Sequence, residues 1–112
     1  QWTEIEPLYS RLGDKARLCL KKNKYTTKVQ KESEKFSKIL LEEYVKATGA
    51  KNRGLIYRDD LTGTNWATVP NTLIELGFMS NAEEDKKLSE KDYQDKIVKG
   101  LVNGIDRYLG GK

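Results

Sequence analysis

No histidine occurs among the 112 residues, and only one cysteine, Cys19. A single thiol excludes an internal disulfide, and a site assembled from Cys19 and scattered carboxylates has no recognisable metal-ligand spacing. In "ARLCLKK" the cysteine reads as part of an apolar helix face, a core residue rather than a nucleophile. No apolar run approaches the roughly 20 residues that a membrane span requires. Neither an internal repeat nor a low-complexity linker is present, so a chain of this length is one domain or part of one. It carries no signal peptide and begins with Gln1 rather than methionine, which leads us to expect a processed, excised or recombinant piece of something longer.

What the chain does have is charge. Hydrophobic residues make up 37% and charged residues 34%, the balance of a soluble globular surface rather than a disordered chain. With 21 basic and 17 acidic residues the net charge is +4, which favours anionic partners in general; wall polymer, nucleic acid and acidic lipid all qualify. The basic residues are interleaved with Asp and Glu along helices, the pattern of a solvated face. A nucleic-acid-binding reading lacks an aromatic platform and a recognition helix.

Periodicity divides the chain into six segments. From Glu4 to about Lys22, Ile5, Leu8, Leu12, Ala16 and Cys19 recur at steps of three and four, which predicts a helix despite Pro7 and Gly13. "NKYTT" reads as a polar connection. Lys28 to Thr48 forms a clearer helix, with Val29, Phe36, Leu40, Tyr44 and Ala47 on one stripe and Gly49 placed for a left-handed cap. Leu55, Ile56 and Tyr57 suit a short strand, followed by the turn formers Asp59, Asp60, Gly63 and Asn65. A second strand runs from Thr72 to Leu76, entered after Pro70 and left at Gly77. Ser80 with Glu83, then Ser89 with Asp92, mark the starts of two helices. The last of these, about Glu90 to Leu109, presents Tyr93, Ile97, Leu101, Ile105 and Tyr108 on one face. Gly100 and Gly104 lie beside them, and since each glycine costs a helix roughly 1 kcal/mol, the pair predicts a close approach to a neighbour. Gly110 and Gly111 end it. Two short strands cannot satisfy both edges and both faces of an apolar strand, so sheet partners are expected to be missing from this chain.

One residue stands out within "LTGTNWATVPNTLIELGFMSN". In the strand Thr72 to Leu76, Thr72, Ile74 and Leu76 point one way and Leu73 and Glu75 the other, so Glu75 is a carboxylate at the carboxyl end of an apolar strand. Ionisation in such a setting is costly, and a raised pKa suits a general acid or base. Reactive groups of open α/β sheets gather at the carboxyl ends of strands. The alternative is a Glu that reaches solvent or pairs with Arg53 or Arg58.

The stretch "VPNTLIELGFMSNAEEDKKLSEKDYQDKIVKGLVNGIDRYL" resembles the C-terminal half of the zinc-dependent N-acetylmuramoyl-L-alanine amidases. The shared pattern is Pro, an apolar strand, Glu-apolar-Gly-Phe, a Ser-Asn turn, an acidic stretch, Tyr-Gln and a final amphipathic helix. Upstream, "SEKFSKILLEEYVKATGAKNRGL" is similar to the family's preceding helix and Arg-Gly turn. The resemblance covers residues 25 to 110 and leaves 1 to 24 as an N-terminal helical segment outside it, either ordinary packing or an inserted helix that covers the active site.

The resemblance implies an α/β fold: part of a three-layer amidase-type domain, with short strands of a central sheet packed by amphipathic helices. It implies that Glu75 is the catalytic carboxylate, activating a zinc-bound water against the amide joining muramic acid to L-alanine. It places Arg53 with Gly54 at a turn that either positions backbone or touches substrate, and Asn65 where relatives carry Arg, as a substrate contact. Asn81 would order the turn after Glu75, and Trp66 is either core or a platform for sugar. The family binds zinc through two histidines and one glutamate, and this sequence has no histidine. This chain alone is therefore expected to bind no zinc and to be inactive, the C-terminal portion of an extracellular or cell-wall hydrolase acting on peptidoglycan. Its expected partners are peptidoglycan or muropeptide and the missing zinc-binding half, or a second copy paired through exposed strand edges. The competing expectation is a non-catalytic amidase-like module that binds or regulates at the wall.

Overall fold

The computed structural model describes residues 15–21, 28–58 and 66–110. In chain order these form strand β1 (Lys15–Lys21), helix α1 (Lys28–Thr48), strands β2 (Lys51–Arg58) and β3 (Leu73–Glu75), and helices α2 (Ala82–Ser89) and α3 (Lys91–Tyr108). The three strands make one sheet in the order β2-β1-β3. β1 pairs with β2 in parallel and with β3 antiparallel. Among the described residues, no strand pairs with the outer edge of β2 or of β3.

The largest departure from the sequence reading is β1, where a helix was expected. The window Lys15–Lys21 also satisfies a period of two, with Ala16, Leu18 and Leu20 alternating against Arg17, Cys19 and Lys21. Pairing on both edges decides between the periods, because strand preference is set by neighbours more than by local sequence. Cys19 is thus a strand residue in register with Ile56 and Leu73, not part of a helix face. Among the described residues the sheet consequently has three strands rather than two. The rest of the expected helix, "NKYTT", and the turn formers Asp59, Asp60, Gly63 and Asn65 lie outside the described residues.

Helix α1 has the expected bounds, and its sheet-facing and α3-facing sides bury Ser33, Ser37, Leu40, Leu41 and Tyr44. Gly49 ends it with φ 73°, its N–H donating to the Val45 carbonyl at 2.8 Å, a left-handed turn that glycine adopts without a Cβ penalty. Leu40, Leu41, Tyr44, Ala50, Tyr93 and Ile97 form the buried core, with Leu55, Ile74, Leu76 and Leu101 packed against it.

α3 crosses α1 closely because of its two glycines. A Cβ on Gly100 would lie 2.9 Å from Tyr44 Cα and 3.1 Å from Ala47 Cβ; one on Gly104 would lie 2.7 Å from Leu40 Cδ1 and 3.0 Å from Leu40 Cα. Farther along, the rings of Phe36 and Tyr108 sit 4.8 Å apart, and the Tyr108 hydroxyl donates to Glu32 at 3.0 Å. Steps toward the amino end of α1 match steps toward the carboxyl end of α3, so the helices run antiparallel. The contact line follows Tyr93, Ile97, Gly100 and Gly104, which leaves Ile105 at its side, 45% exposed rather than on the packed face.

The helix starts also differ from expectation by a residue. Asn81, not Ser80, caps α2, its side-chain oxygen accepting from the N–H groups of Glu83 and Glu84. Glu90 precedes α3 with no side-chain cap, so Ser89 is not the start.

Two outcomes follow from this packing. Gly100→Ala gains helix propensity of roughly 1 kcal/mol but overpacks a backbone contact, which typically costs about 1–3 kcal/mol; a net loss is expected in the urea midpoint, and an unchanged midpoint would show that the helices can separate freely. On the outer side of α1, the Lys38 ammonium 2.9 Å away and then the Tyr57 hydroxyl hold the Glu34 carboxyl below its ordinary value. A depressed acid stabilises the fold above its unfolded-state pKa, and that stabilisation is lost as pH falls through the folded value. Glu34→Gln is therefore expected to cost a little stability at neutral pH, small because the pair is exposed, and to match the parent in strong acid when urea melts are compared across pH.

Candidate active site

Glu75 is the last residue of β3, which is one residue shorter at each end than the expected Thr72 to Leu76 and keeps Glu75 at the strand's carboxyl end. Ile74 and Leu76 pack against the core while Leu73 is 42% exposed, so strand alternation puts Glu75 with Leu73 on the side away from the core. Because β3 is antiparallel to β1, its carboxyl end lies beside the amino ends of β1 and β2, a different placement from a parallel sheet whose carboxyl ends gather together.

Register shows what lies at that level of the sheet. Glu75 is paired with Arg17 of β1. On the other edge of β1 the pairing slips: Ala16 faces Asn52 but Leu18 faces Leu55, so Arg53 and Gly54 together oppose Arg17. The "Arg-Gly turn" is therefore a β-bulge inside β2. Gly54 supplies its φ of 78°, and the Asn52 side-chain oxygen accepts from the Gly54 N–H at 2.7 Å. Bulges re-aim a side chain without ending a strand. Here the Arg53 guanidinium is carried over the ring of Phe78, 5.1 Å from its centroid, a cation–π contact on the segment that leaves Glu75. The bulge, Arg17 and Glu75 thus share one level of the sheet.

Helix α1 holds the Glu75 segment at both ends. The Tyr44 hydroxyl, on a fully buried ring, donates to the Leu76 carbonyl at 3.1 Å. The Asn71 N–H donates to Ser33 Oγ at 3.0 Å, while the hydroxyl of Ser37 donates to the Ser33 carbonyl at 2.6 Å. From Ser33 to Tyr44 the helix rises about 16 Å, and from Asn71 to Leu76 an extended chain spans about the same. The two lengths match, so β3 is stretched along α1 between two hydrogen bonds.

The exit from the strand is equally constrained. Gly77 has φ 149°, and a Cβ there would meet Glu84 Oε1 at 3.6 Å and Leu88 Cδ1 at 3.7 Å. Glu84 is 2% exposed. Asn81 does order this turn, its N–H donating to the Phe78 carbonyl at 3.0 Å. It does so from ordinary extended backbone, φ −95° and ψ 118°, rather than from an unusual one.

Of the residues the sequence singled out, Glu75 and Arg53 come together at one level of the sheet; Asn65 lies outside the described residues. Trp66 is 80% exposed, which overturns its assignment to the core and leaves it on the surface. Sequence reasoning missed Ser33, the hydroxyl role of Tyr44, and Glu84. A tyrosine within an apolar stripe was the one available signal, since a buried phenol needs an acceptor. Among the described residues no group of three or more His, Cys, Asp or Glu is gathered so as to hold a metal ion. With no histidine in the sequence, the residues present do not fit a zinc centre of two histidines and a glutamate.

A sequence profile of the N-acetylmuramoyl-L-alanine amidase family matches residues 6–107, and the chain belongs to that family. The match takes in β1 and starts well before residue 25. Among solved structures, the CwlD amidase of Clostridioides difficile, determined in complex with the GerS lipoprotein, superposes with a TM-score of 0.74 at 33% identity, over 85% of this chain and 46% of that one. The catalytic domain of the amidase CwlV from Bacillus (Paenibacillus) polymyxa var. colistinus gives 0.74 at 26%, over 89% of this chain and 51% of that one. The germination-specific N-acetylmuramoyl-L-alanine amidase of Bacillus subtilis is 44% identical over 45 residues, which are 40% of this chain and 19% of that protein. This chain spans about half the length of these solved amidases.

If α1 holds β3 as described, Tyr44→Phe and Ser33→Ala should each cost about 1 kcal/mol, the usual worth of a hydrogen bond. Amide exchange should speed up selectively between Asn71 and Phe78, with α3 unaffected. Uniform loss of protection would mean that these bonds support the whole core instead.

Proposed function

We propose that this chain is the carboxylate-bearing portion of a peptidoglycan amidase, and that Glu75 is its catalytic residue. The observation that carries the reading is the placement of Glu75 at the end of β3, away from the core, on a segment held between Ser33 and Tyr44 and followed by the fixed Gly77–Asn81 turn. Hydrolysis of the N-acetylmuramoyl to L-alanine amide needs a base that takes a proton from the attacking water and returns it to the departing L-alanine nitrogen. A positioned carboxylate does both. Arg53, on its bulge and over Phe78, steadies the segment on which that base is carried, and it and Asn65 are the candidate substrate-binding residues.

The family is generally zinc-dependent, and because the residues here do not fit that centre, we assign its ligands to the missing half and expect this chain alone to be inactive. Action at the cell wall, outside the cytoplasm, accords with the wall amidases it resembles. No described helix is long and apolar enough to cross a membrane. The absence of histidine is the observation that favours the second reading, a non-catalytic amidase-like module at the wall.

Dye release from labelled peptidoglycan separates the two. In the polypeptide as its source makes it, Glu75→Gln is expected to lower release at least about 100-fold, the scale of general acid–base catalysis, with an unchanged melting point. Release that survives the substitution, or a natural product of 112 residues that binds muropeptides and hydrolyses nothing, would replace the catalytic reading with the binding one.

A further inference from the structure

A cleft of about 330 Å³ opens between α1 and α3, lined by Glu43, Lys46, Ala47, Lys96, Lys99 and Asn103. It lies where Gly100 draws the helices together over Ala47, and two helices contribute its three lysines. We propose that this cleft is an exosite for a linear phosphodiester polymer, gripped by Lys46, Lys96 and Lys99.

The case rests on where the neighbouring acids have gone. On a helix, an acid four residues before a lysine is its natural partner. For Lys99 that acid is Asp95, but both oxygens of Asp95 are taken by Lys91, at 3.0 and 3.1 Å. For Lys46 it is Glu42, which is held by Arg107 at 2.8 Å; Arg107 also engages Glu43, the one acid lining the cleft, at 3.4 Å. Asp92, one turn before Lys96, makes no ion pair with it. Among the described residues, then, none of the three lysines has a carboxylate within ion-pair distance. A second lysine-lined hollow, beside Lys31, Lys35 and Lys38, differs in that Glu34, which also lines it, pairs directly with Lys38. Three lysines thus line one cleft against a single acid, and an anion there would offset the surplus positive charge.

The lining also specifies the anion. It offers three ammonium groups and an amide against one carboxylate, Glu43, which Arg107 engages, with Ala47 and lysine stems as its apolar surface and no aromatic ring for a base to stack upon. A compact phosphate group carried on a baseless chain fits this chemistry. The choice of polymer rests on the reading that the protein works at the cell wall, where anionic polymer is at hand.

The test uses the full chain and poly(glycerol phosphate), with binding followed by calorimetry at several salt concentrations. Three ammonium contacts to a flexible polyanion predict a slope of log affinity on log salt of about −2. Lys96→Gln and Lys99→Gln should each weaken binding about tenfold at low salt, and Lys86→Gln, an equal charge change on α2, less than twofold. Lys91→Gln, outside the cleft, should also weaken binding, because it releases Asp95 to Lys99; adding Asp95→Asn should restore it. Circular dichroism establishes that each variant is folded. The proposal is overturned if the polymer does not bind, if Lys86→Gln weakens binding as much as the cleft variants do, if millimolar inorganic phosphate displaces the polymer completely, or if a DNA duplex of equal charge binds as tightly. Because binding is read without hydrolysis, a failure here is distinct from a failure of Glu75→Gln to abolish activity.

Discussion

The hydrogen bond from the Tyr44 hydroxyl to the Leu76 carbonyl is the contact on which the rest of the arrangement depends. It joins a fully buried side chain of α1 to the residue that follows Glu75, so the core and the candidate site are fixed by one group. The glycines of α3 serve the same end. Gly100 lets that helix approach the backbone of Tyr44 itself, so α3 packs directly on the residue that holds Leu76. With Ser33 holding Asn71, the strand is positioned by a rigid helix instead of by its own three residues, which are too few to hold themselves in place.

Electrostatics follow a different logic on the outer surface. Arg107 and Lys91 each take up carboxylates that helical spacing would otherwise offer to Lys46 and Lys99. The ion pairs there are exposed and individually weak. Their effect is to distribute charge: on the outer face of α1 Glu34 pairs with Lys38, while among the described residues Lys46, Lys96 and Lys99 have no carboxylate at ion-pair distance.

What could be read in the sequence depended on how many residues vote for each element. Helix α1 has 21 residues with one consistent period, and its bounds and glycine cap were legible to the residue. The close approach at Gly100 and Gly104 was legible too, because glycine weakens a helix and two of them one turn apart make sense where a side chain would collide with a neighbour. β1 was not, since seven residues fit both periods and the deciding contacts are with β2 and β3, far along the chain. Glu75 was visible as an acid out of pattern. The bulge at Arg53 and Gly54 was not, because a glycine with positive φ serves a turn and a bulge alike. Trp66 misled because hydrophobic side chains on a surface obey no pattern.

The position of β1 in the middle of the sheet has a consequence for how the chain assembles. Its parallel partner arrives only after the whole of α1 has been made, and its antiparallel partner later still. A strand that must wait for distant partners closes long loops before it gains any contact, so the sheet forms late while the antiparallel contact of α1 with α3 organises around it. In the interval both edges of β1 are open to any other extended chain. The orderly route to this structure therefore runs through keeping its central strand occupied before its own partners exist.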